Sequence, residues 1–146
     1  MSLYIVDASV AAKWFTEEKH SEEALSLLSD ENTLHVPDFF MLEMDSVISK
    51  WIRRGILGED DGQSVRATLK QLPIRQHAVA PLRDSAFELA NRTGRSFYDC
   101  LYLALALPLG GLMATADRKL FDALKTGPFR KHVVWVEDIR SQPQSL

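Results

Sequence analysis

SFYDCLYLALALPLGGLMATAD, residues 96–117, holds only two charged side chains, Asp99 and Asp117. Residues 96–107 have helical length and are apolar on every side, so this helix belongs at the centre of a fold and not on its surface. Gly110 and Gly111 then make a turn, 112–115 reads as a strand, and Asp117 opens a short helix reaching Leu124. A buried helix running directly into a strand predicts a sheet with helices packed on it.

Outward from that stretch, strand-like and helix-like segments alternate. Residues 3–6, 34–36, 74–77 and 132–136 read as strands, and 10–15, 21–28, 59–72 and 82–93 as helices. Another helix follows Pro37, with Asp38 as its N-cap, Phe40, Met44, Val47, Ile48 and Trp51 on its apolar face, and Gly55 at its end. Strands separated by helices predict right-handed crossovers. The fold expected is therefore α/β, a three-layer α/β/α sandwich with a mostly parallel central sheet, whose site lies outside the carboxyl ends of the strands. At 146 residues and 46% hydrophobic, the chain fits one domain over 1–146, with a disordered tail at 141–146.

Several function classes are excluded by what is missing. No GxxxxGK[ST], GxGxxG or GxSxG occurs, and His20, His35, His77 and His132 show no HExxH or other ligand spacing. Cys100 is the single cysteine and cannot form an internal disulfide. No apolar run reaches membrane-spanning length and no signal-peptide pattern is present, so a cytoplasmic protein without a membrane partner is expected. The net charge of -3 gives no overall case for nucleic-acid binding. Locally, Arg118, Lys119, Lys125, Arg130 and Lys131 stand against one acid, Asp122, and Lys50, Arg53 and Arg54 form a smaller basic group. Either could follow a phosphate backbone or be an ordinary solvated face.

The chemistry is carried by isolated acids. Asp7 closes the first strand, Asp99 and Asp117 sit in the apolar 96–117 stretch, and Glu43 lies at the margin of an apolar helix stripe. Each has a bland explanation. Asp7 suits a turn, Asp99 fits a capping box with Ser96, Asp117 can be an N-cap, and Glu43 can face Lys50. Asp45, roughly 200° around the helix from Glu43, should face solvent. Together, however, the four fall where strand ends and helix starts meet. A buried carboxylate costs several kcal/mol unless a cation or donors offset it. Oxygen ligands of this kind suit Mg²⁺ or Mn²⁺ and not zinc.

Val6-Asp7-Ala8-Ser9, Pro37 followed by a helix carrying Glu43, Tyr98-Asp99-Cys100-Leu101-Tyr102-Leu103-Ala104-Leu105-Ala106 and Thr115-Ala116-Asp117-Arg118 together resemble the PIN-domain ribonucleases, especially the VapC-like toxins of toxin–antitoxin pairs. The likeness runs over nearly the whole chain. Ser46 stands where the family often has Asn, and Cys100 where Ala commonly follows the central aspartate. The resemblance implies a catalytic and metal-binding cluster of Asp7, Glu43, Asp99 and Asp117, with Ser9 and Thr115 as supporting hydroxyls. It further implies one or two Mg²⁺ or Mn²⁺ ions, endonucleolytic cleavage of RNA, a homodimer and a small antitoxin. Two other classes compete. A non-catalytic partner-binding module of the same fold would keep the acids merely as caps. A receiver-like phosphoacceptor would want an acidic pair after the first strand and a lysine after a late one, whereas Asp7 stands alone and Glu137 follows Val136.

Overall fold

Apolar residues without alternation make a strand that must be covered on both faces, and Tyr4, Ile5 and Val6 are all buried in β1 (Ser2–Val6). The computed structural model describes residues 2–141. β1 is followed by a short helix α1 (Ala8–Ala11), a 3-10 turn (Ala12–Trp14) and α2 (Ser21–Ser26). Then come β2 (Asn32–Pro37), α3 (Phe40–Arg53), α4 (Glu59–Gln71) and β3 (Ile74–His77). The chain continues through α5 (Arg83–Thr93), α6 (Phe97–Leu109), β4 (Leu112–Thr115), α7 (Arg118–Leu124) and β5 (Val133–Trp135).

All four strand pairings are parallel, in the order β3-β2-β1-β4-β5. The helices flank this sheet as a three-layer α/β/α sandwich, as the alternating pattern predicts. The chain builds outward from β1 to β3 and then returns to β4 on the other side of β1. Strand order thus reverses between β1 and β4, the place where such sheets open a crevice at their carboxyl edge. Val6 is in register with Ala114, and the Asp7 N–H continues the ladder to the Ala114 carbonyl at 3.3 Å.

α6 is the central helix. Cys100 through Ala106 are all buried, and it lies against β1, β2 and β4 with α5 packed along it. It ends at Gly110, whose φ of +65° is left-handed and favours glycine. Gly111 is required for a different reason: a Cβ there would stand 2.3 Å from Leu3 Cδ2 and 3.0 Å from the Leu3 carbonyl oxygen. Gly111→Ala should therefore push β1 from β4 and lower stability by about 1–3 kcal/mol in urea denaturation, the usual scale of overpacking. Among the described residues, no helix is long and apolar enough to cross a membrane.

Some boundaries differ from expectation. Asp38 does not cap α3; its N–H donates to the His77 carbonyl at 2.7 Å, so it still belongs to the β2–β3 edge, and the helix starts two residues later without a side-chain cap. β2 is longer than 34–36 because Asn32 and Thr33 pair with Ser2 and Leu3. The last strand stops at Trp135, with His132 and Val136 in flanking 3-10 turns. The tail expected to be disordered lies, from 142 onward, outside the described residues.

Candidate active site

Each of the four acids stands at the beginning of a helix. Asp7 is the N-cap of α1, its Oδ1 accepting from the Val10 N–H at 3.2 Å. Asp117 is the N-cap of α7 and accepts from the Leu120 N–H at 3.2 Å. Asp99 is the third residue of α6, where its own N–H donates to the Ser96 hydroxyl at 3.0 Å. Glu43 lies in the first turn of α3. α1, α3 and α7 leave the carboxyl ends of β1, β2 and β4, while α6 runs back towards the start of β4, so all four helix N-termini meet at the same sheet edge. Their backbone N–H groups and dipoles favour negative charge there.

Asp117 is thus the N-cap that its ordinary reading gave, and Asp7, read as a turn residue, caps a helix as well. A cap engages one carboxylate oxygen, and the bonds recorded to Glu43 and Asp117 each end on a single oxygen. Among the described residues, none of the four acids forms an ion pair. Asp45 does: Arg66 of α4 donates to it at 2.8 Å, which separates it from the cluster as predicted but leaves it paired and not simply solvated.

Electrostatics tie the four together. Asp7 is only 7% exposed, and burial pushes its carboxyl up to about 6 against the lowering effect of Ser9, Thr115 and the Val10 N–H, with Asp99 adding to the rise. Glu43 is raised by burial, opposed by a bond from Tyr102 and assisted by Asp99. Asp99 is itself raised by burial, opposed by the Ser96 hydroxyl, raised further by Asp117 and lowered by Arg95. Asp99 is therefore the hub, coupled to all three other acids.

Two hydroxyls fix the buried member. Ser9 Oγ donates to Asp7 Oδ1 and accepts from the Ala116 N–H at 3.0 Å, joining α1 to the end of β4. Thr115, fully buried, accepts from the Asp117 N–H at 3.0 Å and also bonds Asp7. Both hydroxyls thus lie between the end of β4 and Asp7, where the resemblance placed them. Tyr102 was given no role by the sequence, yet its hydroxyl donates to Glu43 Oε1 at 2.5 Å. Burial, then Glu43, Asp7 and Asp99, hold that phenol far above its ordinary pKa, so it is a permanent donor. The available signal was spacing, since Tyr102 stands three residues after Asp99 on one helix face. Arg95, half-buried beside Asp99, was also missed.

Four carboxylates with no thiol or imidazole among them, with pKa values of the inner three raised and no cation paired to them, fit a hard divalent ion by donor chemistry. As placed, the side chains are near one another but not at ligand spacing: among the described residues, no three His, Cys, Asp or Glu groups stand where they could hold an ion. Like-charge repulsion opposes any closer approach. Of the basic groups, Arg118 follows Asp117 in the chain, but its guanidinium lies 3.9 Å over the Trp135 ring and 3.7 Å from Asp122. Lys50, Arg53 and Arg54 sit at the opposite end of α3 from Glu43 and are remote from the cluster.

The PIN domain family model matches residues 4–126. Ribonuclease VapC3 of Pyrobaculum aerophilum is 35% identical over 127 residues, covering 84% of this chain and 97% of that protein. Two solved structures share the fold. A crystal structure of a Pyrobaculum aerophilum protein superposes with a TM-score of 0.71 at 20% identity, covering 97% of this chain and 91% of that one. A toxin–antitoxin complex from Klebsiella pneumoniae gives 0.64 at 16% identity, covering 92% and 96%.

Proposed function

Because the chain belongs to the PIN-domain family, and within it groups with the VapC ribonucleases, we propose that it is a Mg²⁺- or Mn²⁺-dependent endoribonuclease, the toxin of a toxin–antitoxin pair. The observation that carries this reading is the gathering of Asp7, Glu43 and Asp117 around Asp99 at the switch point of the sheet. RNA as substrate is supported by the name of the 35% identical relative. The antitoxin is supported by the likeness to a toxin–antitoxin complex. A homodimer working in the cytoplasm belongs to the same proposal.

Asp7, Glu43 and Asp99 would hold the principal ion once their carboxylates turn to ligand spacing, and Asp117 a second ion or a water. Bound there, the metal lowers the pKa of water and offsets negative charge developing on the phosphate. The chain's own part is to keep the carboxylates aimed. Ser9 and Thr115 fix Asp7, and Tyr102 fixes Glu43. Asp117, more exposed, has Oδ2 clear of its cap bond and able to accept from water. Water adds to phosphorus and the ribose oxygen departs with a proton.

The test is labelled RNA incubated with the protein in Mn²⁺ and in EDTA, with cleavage expected only in the first. No cleavage, together with no thermal stabilisation by millimolar Mn²⁺, would overturn the proposal in favour of a non-catalytic partner-binding module. Tyr102→Phe should raise the Mn²⁺ concentration for half-maximal cleavage by about 10- to 100-fold, because Glu43 loses the group that orients it. An unchanged Mn²⁺ requirement would remove Tyr102 from the site.

A further inference from the structure

We infer that the Tyr98 ring is a stacking platform for a base of single-stranded RNA beside the phosphodiester being cleaved; this rests on the ribonuclease reading above. Among the described residues, the large apolar side chains left exposed are Leu25, Leu42, Ile56, Phe87 and Tyr98. Tyr98, 62% exposed, is the one aromatic of these that adjoins an acid of the cluster. An open ring at that position calls for an explanation, because the preceding Phe97 is partly buried against the core and Cys100, two residues on, is buried within it.

The ring is held in place. Phe39 packs against one side at a centroid distance of 5.8 Å, and Phe97 meets it edge-on at 5.8 Å. Phe39 also packs on Tyr102 at 5.3 Å, and Tyr102 bonds Glu43. Tyr98 is thereby fixed relative to two acids at once: Asp99 through the chain, and Glu43 through the Phe39–Tyr102 contact. A rigid aromatic surface at a set distance from the acids can place a base, and with it the neighbouring phosphate.

Charge explains why a neutral contact matters. With 17 basic against 20 acidic residues and four acids at the site, the chain has no overall positive charge to draw RNA in, so a contact that does not depend on charge adds to binding. Stacking is independent of charge, tolerates any base and suits unpaired strands. Half-buried Arg95, three residues before Tyr98, supplies the nearby cation for a backbone phosphate.

The test uses short single-stranded RNAs with one abasic position moved stepwise across the cleavage site, against wild type, Tyr98→Ala and Tyr98→Phe. Tyr98→Ala should raise KM about tenfold with kcat within twofold, on the scale of one lost stacked base, and Tyr98→Phe should match wild type. One abasic position should weaken wild-type binding about tenfold and leave Tyr98→Ala unaffected. Identical abasic profiles in wild type and Tyr98→Ala would overturn the inference, as would a fall in kcat with KM unchanged. A loss of the wild-type oligomeric state on size exclusion, with uniform weakening at every abasic position, would assign the ring to a protein contact instead. RNA affinity is also measured by fluorescence anisotropy in EDTA. If wild type cleaves nothing the ribonuclease reading fails, while the affinity of Tyr98→Ala still decides the platform.

Discussion

Asp99→Asn is expected to lower metal-dependent RNA cleavage by at least about a thousandfold while the protein stays folded. Asp99 is the one acid whose charge is felt by Asp7 and Glu43 and which itself responds to Asp117, so it stands between the others. Asparagine keeps the shape but loses the anion that a hard cation requires. The helix start does not depend on the side chain, because the cap bond runs from the Asp99 backbone N–H to the Ser96 hydroxyl. Removing a half-buried charge from a repelling cluster should leave the melting temperature unchanged or slightly raised. Asp45→Asn is the control: that acid is two residues from Glu43 but faces Arg66, and its loss should leave cleavage at the wild-type rate. Undiminished activity in Asp99→Asn would end the assignment of this cluster as the catalytic centre.

The fold was legible where the information is local or where apolar runs leave little choice. The 96–117 stretch could be read as a buried helix, a glycine turn and a strand because burial on all sides and two adjacent glycines admit few alternatives. Asp38 misled for the opposite reason. Its cap signature is local, but the bond that decides its conformation goes to His77, 39 residues onward, and a sheet edge overrode a helix signal. The acids themselves were visible as lone charges among apolar residues. Their support was less so, since the Tyr102–Glu43 bond spans 59 residues and the Ser9–Ala116 bond 107. The part-buried His35–His77 pair, 2.8 Å apart across β2 and β3, likewise left no trace in spacing, because it depends on strand register.

Asp7→Asn should stabilise the protein in EDTA at pH 7, by about 3 kcal/mol at most, several degrees in melting temperature, even as it abolishes cleavage. The carboxyl holds its proton to about 6 in the folded chain, above its ordinary value of 3.8. Between those two values the folded state carries a proton that the unfolded state has released. Stability therefore falls as pH rises through that window, and the full deficit persists above it. Glu43 and Asp99 are shifted in the same direction and should leave a smaller slope of the same sign in the variant. Asparagine carries no charge to bury and remains a good N-cap, its Oδ1 still able to accept from the Val10 N–H. A divalent cation reverses the balance, because it favours the ionised form that burial penalises. Millimolar Mn²⁺ should raise the wild-type melting temperature at pH 7.5, with the rise shrinking below pH 6 as protons compete for the same oxygens, and should do little for Asp7→Asn. If Asp7→Asn is instead the less stable protein in EDTA and wild type does not respond to Mn²⁺, then Asp7 is a structural cap. The sheet would in that case hold a buried charge for the sake of one helix turn, and no ion would be needed to explain it.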